Sequence, residues 1–150
     1  MKNRTFSALT VAAFLAASAA LVGCSKQAPE QGEQKTSAPA SDVIKIGVFQ
    51  PLTGANSAGG ADELEGIKLA NKLYPTALGK KVELVIVDNK SDKVEAANAA
   101  TVLTQKEKVN AVLGSWGSSL SMSGGPIFAE AKIPAVALSA TNPNVTKGNE

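Results

Sequence analysis

From Val43 onward, short runs rich in β-branched residues alternate with longer stretches whose apolar side chains recur every three or four positions. That alternation is the strongest constraint on what this chain can fold into. Val43-Ile44-Lys45-Ile46-Gly47-Val48-Phe49 reads as a strand that gives way to a loop at Pro51. Asp62 to Leu73 sets Leu64, Ile67, Ala70 and Leu73 on one helical face and stops before Pro75. Val82 to Val87 is the next strand, closed by Asp88-Asn89. Asp92, with Glu95 three residues on, forms an N-terminal capping pattern for a helix running toward Lys108. Ala111 to Leu113 makes a short strand, Ser118 to Ala131 a third helix, and Pro134 to Leu138 a fourth strand. Near-continuous apolar strands separated by helices predict an α/β fold, a Rossmann-like parallel sheet with helices on both faces. Residues 43–150 suffice for one lobe of four strands and three helices. The polar, uncapped end Lys147-Gly148-Asn149-Glu150 suits a piece of a longer chain better than a lobe that stands alone.

A different kind of sequence precedes the lobe. Lys2 and Arg4 are followed by an uncharged apolar run from Phe6 to Val22, then by Leu21-Val22-Gly23-Cys24. A basic start, an apolar stretch and a small residue before a cut are the three parts of a secretory signal. The expectation is a signal helix within residues 1–23. Cys24 is the only cysteine, and its place after Gly23 resembles the lipobox of bacterial lipoproteins. That resemblance implies a thiol carrying diacylglycerol, cleavage before Cys24 and an acylated new N-terminus. Several acyl chains anchor stably where one would not. The alternative, a spanning helix ending in cysteine, suits the sequence less well. The apolar run is marginal in length, and no basic cluster flanks its far end. Residues 24–42 then read as a lipidated, disordered linker. Ser25 to Asp42 offers only alanine as apolar side chain, too little to offset its ordering entropy. A flexible tether of that length reaches about 23 Å. The location implied is the cell envelope, lipid-anchored on the extracytoplasmic side of a membrane.

Charge and composition remove whole classes of function. Setting aside Lys2 and Arg4 leaves 13 basic residues against 13 acidic ones, so no basic field exists to attract nucleic acid. With one cysteine there is no disulfide framework. Histidine is absent, which removes Ser-His-Asp and Cys-His catalysis and every His-metal site. No serine has glycine two residues before and two after, so there is no nucleophile elbow. Neither a P-loop nor a GxGxxG fingerprint follows the first strand. The expectation is a protein that is not an enzyme, with no cofactor and no metal.

In open parallel sheets, ligands bind beyond the carboxyl ends of the strands, near the point where strand order reverses. Three loops belong there: Gln50 to Gly60, Gly114 to Ser119, and Ser139 to Pro143. All are small and hydroxyl-rich, and the second feeds a helix N-terminus whose N–H groups and serine hydroxyl suit a carboxylate. Taken singly, Ser118 or Ser119 reads more simply as an N-cap. Trp116, the one tryptophan, sits between small residues and is better placed as a pocket wall than as a core plug. Asp88 stands where dinucleotide folds place a ribose-binding acid, but without the glycine fingerprint it reads as a loop or cap residue. The acidic pairs Asp62/Glu65 and Asp92/Glu95 fall in expected first helical turns, where the helix dipole explains them better than a catalytic dyad does.

The strings IKIGVFQPLTGANSAGG, ELEGIKLANKL, VELVIVDNKSD, NAVLGSWGSS and IPAVALSATNPNVT resemble the N-terminal lobe of branched-chain amino acid ABC transporter substrate-binding proteins. This is the leucine/isoleucine/valine-binding family, with the type I periplasmic-binding fold. The resemblance implies two lobes closing on a ligand, with residues 43–150 forming the first. It implies that Ser118 holds an α-carboxylate, that the Ser139 carbonyl takes an α-amino group, and that Thr141 contacts both. Trp116 and Gly117 match residues that line the pocket. Gly59 falls where several members place an aromatic against the ligand side chain, which leaves the side-chain preference open. The implied function is a lipid-anchored solute-binding protein that delivers an amino acid, branched-chain or related, to an ABC importer. Its partners would be that small molecule, a permease and the membrane at Cys24. The alternative is a ligand-sensing receptor module of the same fold for an amide or another small polar ligand.

Overall fold

The computed structural model describes residues 42–147. The expectations for the signal at 1–23, for Cys24 and for the linker up to 41 lie outside the described residues. In chain order the elements are β1 (Val43–Gln50), α1 (Ser57–Leu73), β2 (Thr76–Ala77) and β3 (Lys80–Asp88). They continue with α2 (Lys93–Thr101), β4 (Ala111–Leu113), α3 (Ser118–Glu130) and β5 (Ala135–Val136). A π-helical turn at Val102–Lys106 extends α2, and a 3-10 turn at Pro143–Val145 follows β5.

The sheet order is β2-β3-β1-β4-β5. β1 lies at the centre and pairs in parallel with β3, from Val43 opposite Lys81 to Gln50 opposite Asp88. On its other side it pairs in parallel with β4, from Ile46 opposite Ala111 to Val48 opposite Leu113. β5 adds a further parallel strand, confined to Ala135–Val136 rather than running from Pro134 to Leu138. Its residues are exposed, and only two positions join the ladder. The sheet is therefore mixed. β2 runs antiparallel to β3 and makes a fifth strand where four were expected. Leu78 and Gly79 turn that hairpin with φ of 51° and 74°. Such two-residue turns usually carry Asn-Gly, so a leucine in the first position hides the hairpin in the sequence.

α1 begins at Ser57, five residues ahead of the expected Asp62, and takes Gly59 and Gly60 out of the first loop. Glycine is a poor helix former, but packing overrides propensity here. Gly60 is buried so close to the Pro51 carbonyl that any Cβ would overlap it. The earlier start also moves Asp62 and Glu65 beyond the first turn, which holds no acidic residue. Glu65 instead meets Lys68 on the surface, a contact worth little. The capping pattern at α2 is realised: Asp92 accepts from the N–H groups of Val94 at 2.8 Å and Glu95 at 3.0 Å.

Helices cover both faces. Successive strand residues point to opposite sides, so Phe49 faces α2 and α3 while Val48 faces α1. On the first side Phe49 meets Phe128 edge to face at 5.5 Å, among Ala96, Leu103, Val112 and Leu120. On the second, Val48 packs with Leu64 and Ile67. The chain moves outward from β1 to β3, then crosses back to β4, so strand order reverses between β1 and β4. Their carboxyl ends, and the loops that leave them, define the switch point of the sheet.

Candidate functional site

Three segments meet beyond those carboxyl ends: the start of α1, the turn Gly114–Gly117 after β4, and the segment Ser139–Asn142 after β5. Gly117, with φ of 94°, is the N-cap of α3, and Ser118 is the first helical residue. The N-cap role considered for Ser118 thus falls to a residue without a side chain. The Ser118 hydroxyl is free to do something else. Its Oγ accepts from the N–H groups of Thr141 and Asn142, each at 3.2 Å. The fold therefore brings Ser118 and Thr141, 23 positions apart in sequence, into direct contact. An oxygen that receives two backbone N–H groups at a helix N-terminus marks a place where donors converge. Accepting from both leaves the Ser118 O–H itself as a donor, and a carboxylate oxygen is stabilised by such a donor and by the helix dipole.

The other expected residues join the same edge. Trp116 is 37% exposed and so is not a core plug. Its indole lies directly on Gly59, where any Cβ would overlap the ring. The open position noted at Gly59 is thus occupied by an aromatic ring from another element. Ser139 is exposed, and its hydroxyl donates to the carboxylate of Glu63 on α1. Gln50, the last residue of β1, is wholly buried. Its Oε1 accepts from Trp116 N–H at 2.8 Å, and its Nε2 donates to Glu63 at 2.5 Å. Trp116, Gly117, Ser118, Ser139 and Thr141 thus stand on one hydrogen-bonded edge.

The buried frame beneath that edge has little signature in the sequence. Ser115 is wholly buried; its Oγ accepts from Asn89 Nδ2 at 2.9 Å and donates to the Trp116 carbonyl at 2.9 Å. Ser121 closes the turn from α3, accepting from Ser115 N–H at 3.2 Å. Gln50 was detectable in principle, as an amide ending the uncharged run Ile46–Phe49. Glu63 was not, because nothing distinguishes it from the other acids of its helix. Asp88 proves to be a loop-holding residue. It accepts from Thr53 Oγ1 at 2.6 Å, Lys90 N–H at 2.7 Å and Leu52 N–H at 2.8 Å. Burial pushes its carboxyl pKa up, but these bonds, the Thr53 hydroxyl foremost, outweigh it and hold the group below its ordinary value. Among the described residues no three acidic or cysteine side chains gather in a way that would hold a metal ion.

Residues 43–149 match the model of a family described as periplasmic binding protein. The chain belongs to that family. An amino acid binding protein of Pseudomonas aeruginosa is 34% identical over 110 residues, which are 71% of this chain and 29% of that protein. The crystal structure of a leucine binding protein from Thermotoga maritima is similar at 48% identity, with a TM-score of 0.68. The match covers 70% of this chain and 30% of that one. A branched-chain amino acid transporter substrate-binding protein from Streptococcus pneumoniae, solved in complex with isoleucine, is similar at 34% identity with a TM-score of 0.68. That match covers 71% of this chain and 32% of the other. The chain thus spans under a third of the length of the family members named here. Within the family the correspondence is to the type I α/β lobe, as the parallel strands around β1 require.

Proposed function

We propose that this protein captures a small carboxylate-bearing solute, an amino acid with an apolar side chain, and delivers it to an ABC importer without transforming it. The single observation that carries this reading is Ser118 Oγ receiving two backbone N–H groups at the start of α3, at the switch point of the sheet. The isoleucine complex of the Streptococcus pneumoniae relative supports the ligand class. In this reading Ser118, the α3 N-terminus and Thr141 hold the carboxylate, and the Ser139 carbonyl takes the ammonium group. Trp116 and Gly117 bound the side chain, and residues 43–147 form one wall of a site that a second lobe closes. Cys24 carries the lipid that keeps the lobe at the membrane beside its permease, and residues 25–42 link the two.

Calorimetry on the full-length protein with the twenty L-amino acids, and with benzoate as a carboxylate lacking an ammonium group, tests the reading. Binding of leucine, isoleucine, valine or a close relative, with benzoate much weaker, is the expected result. Failure of every amino acid to bind, or turnover of any of them, would contradict it.

A further inference from the structure

We propose that Glu63 is a positioning residue. Through buried Gln50 it holds the segments of the ligand edge in one arrangement, and so sets the affinity of the site. The inference rests on the solute-binding reading but concerns a residue outside the expected contact set. Three bonds make the linkage: Trp116 N–H to Gln50 Oε1 at 2.8 Å, Gln50 Nε2 to Glu63 at 2.5 Å, and Ser139 Oγ to Glu63. They join the end of β1, the turn after β4, the side of α1 and the segment after β5. The second end of that last segment is tied to α3 by Ser118, through Thr141 and Asn142. Ser139–Asn142 is therefore slung between two helices, and Glu63 is its anchor on the α1 side.

Chemistry fixes the direction of every bond. Trp116 N–H can only donate and an ionised carboxylate can only accept, so the amide of Gln50 has one orientation that satisfies both. Among the described residues Glu63 forms no ion pair. Its carboxylate accepts from two neutral donors, and the residue lines the same groove as Ile67, Leu113 and Leu138. Hydrogen bonds to a charged group in such surroundings are stronger than neutral ones. Losing the carboxylate should therefore loosen both Trp116 and Ser139 at once.

The test compares four forms of the full chain: unaltered, Glu63→Gln, Glu63→Asp and the exchange Gln50→Glu with Glu63→Gln. Trp116 emission is read against a Trp116→Phe control, and L-leucine affinity is measured by calorimetry. Glu63→Gln removes the charge and leaves one acceptor oxygen where two served Gln50 and Ser139, so the emission maximum shifts and leucine affinity falls about tenfold to a hundredfold. Glu63→Asp keeps the charge but not the reach, and gives the same shift and loss. The exchange reverses only the bond between positions 50 and 63, leaves an acceptor oxygen for Trp116 N–H and another for Ser139 Oγ, and returns emission and affinity toward the unaltered values. Unchanged emission and affinity in both single variants would overturn the proposal. So would full function in Glu63→Asp, which would make charge alone the cause. If the unaltered protein binds none of the twenty L-amino acids, the solute-binding reading is at fault, and the emission series still decides whether Glu63 positions Trp116.

Discussion

On one face of the sheet α2 and α3 close over Phe49, Leu103, Val112 and Phe128 until all four are buried. On the other, α1 alone buries Val48, Leu64 and Ile67 and leaves a groove of about 470 Å³ along Ile46, Val82, Leu84 and Leu138. In the wall of that groove, Asn71 Oδ1 is buried with no hydrogen-bond partner among the described residues. The difference teaches a division of labour. The α2/α3 face carries the stability of the lobe. α1 is committed at its N-terminal half to the candidate edge, through Gly59 under Trp116, Gly60 against Pro51 and Glu63 at Gln50. Its C-terminal half shows Leu69 and Leu73 to the surface.

The contrast breaks if the two faces respond alike to truncation. Phe49→Ala should cost about 3–5 kcal/mol of stability in denaturant unfolding, because it empties the α2/α3 core. Leu84→Ala, half-buried on the α1 face, should cost only about 1–2 kcal/mol. Equal losses would mean that α1 is as tightly seated as its counterparts. Gly60→Ala sharpens the claim about α1. Its methyl group must push the helix off the Pro51 carbonyl, at about 1–3 kcal/mol, and should weaken ligand binding as well. Lost stability with unchanged binding would separate α1 from the site. The smallest effect concerns Asp88, which fastens the loop after β1. Its folded pKa lies below the ordinary 3.8. The stabilisation it gives is therefore present above the unfolded value and is lost as pH falls through the folded one. Asp88→Asn should flatten the acid limb of a stability–pH curve; an unchanged limb would count against that role.

Much of this organisation could be read from residues alone, and the misses share a physical origin. Strand positions followed from runs such as Val43–Phe49, and α2 from its Asp92 cap, because both signals are local. The start of α1 was misplaced because Gly59 and Gly60 look like loop residues, and only contacts with Trp116 and Pro51 explain them. The β2 hairpin was missed because Leu78 takes a conformation that glycine or asparagine usually supplies. At the candidate edge, Ser118 and Thr141 were legible as a pair through family resemblance, and the fold puts them in contact. The bonds that join Gln50 to Glu63 and to Trp116 were not, since hydrogen bonds between residues 13 and 66 positions apart leave no periodic trace.

The central claim is that Ser118 organises the donors that hold a solute carboxylate. Leucine titration of the unaltered protein and of Ser118→Ala, with unfolding followed in parallel, tests it most directly. The account predicts a loss of roughly 1–3 kcal/mol in binding, through a lost charge-assisted hydrogen bond, at nearly unchanged stability. Equal affinity in the two proteins would contradict it.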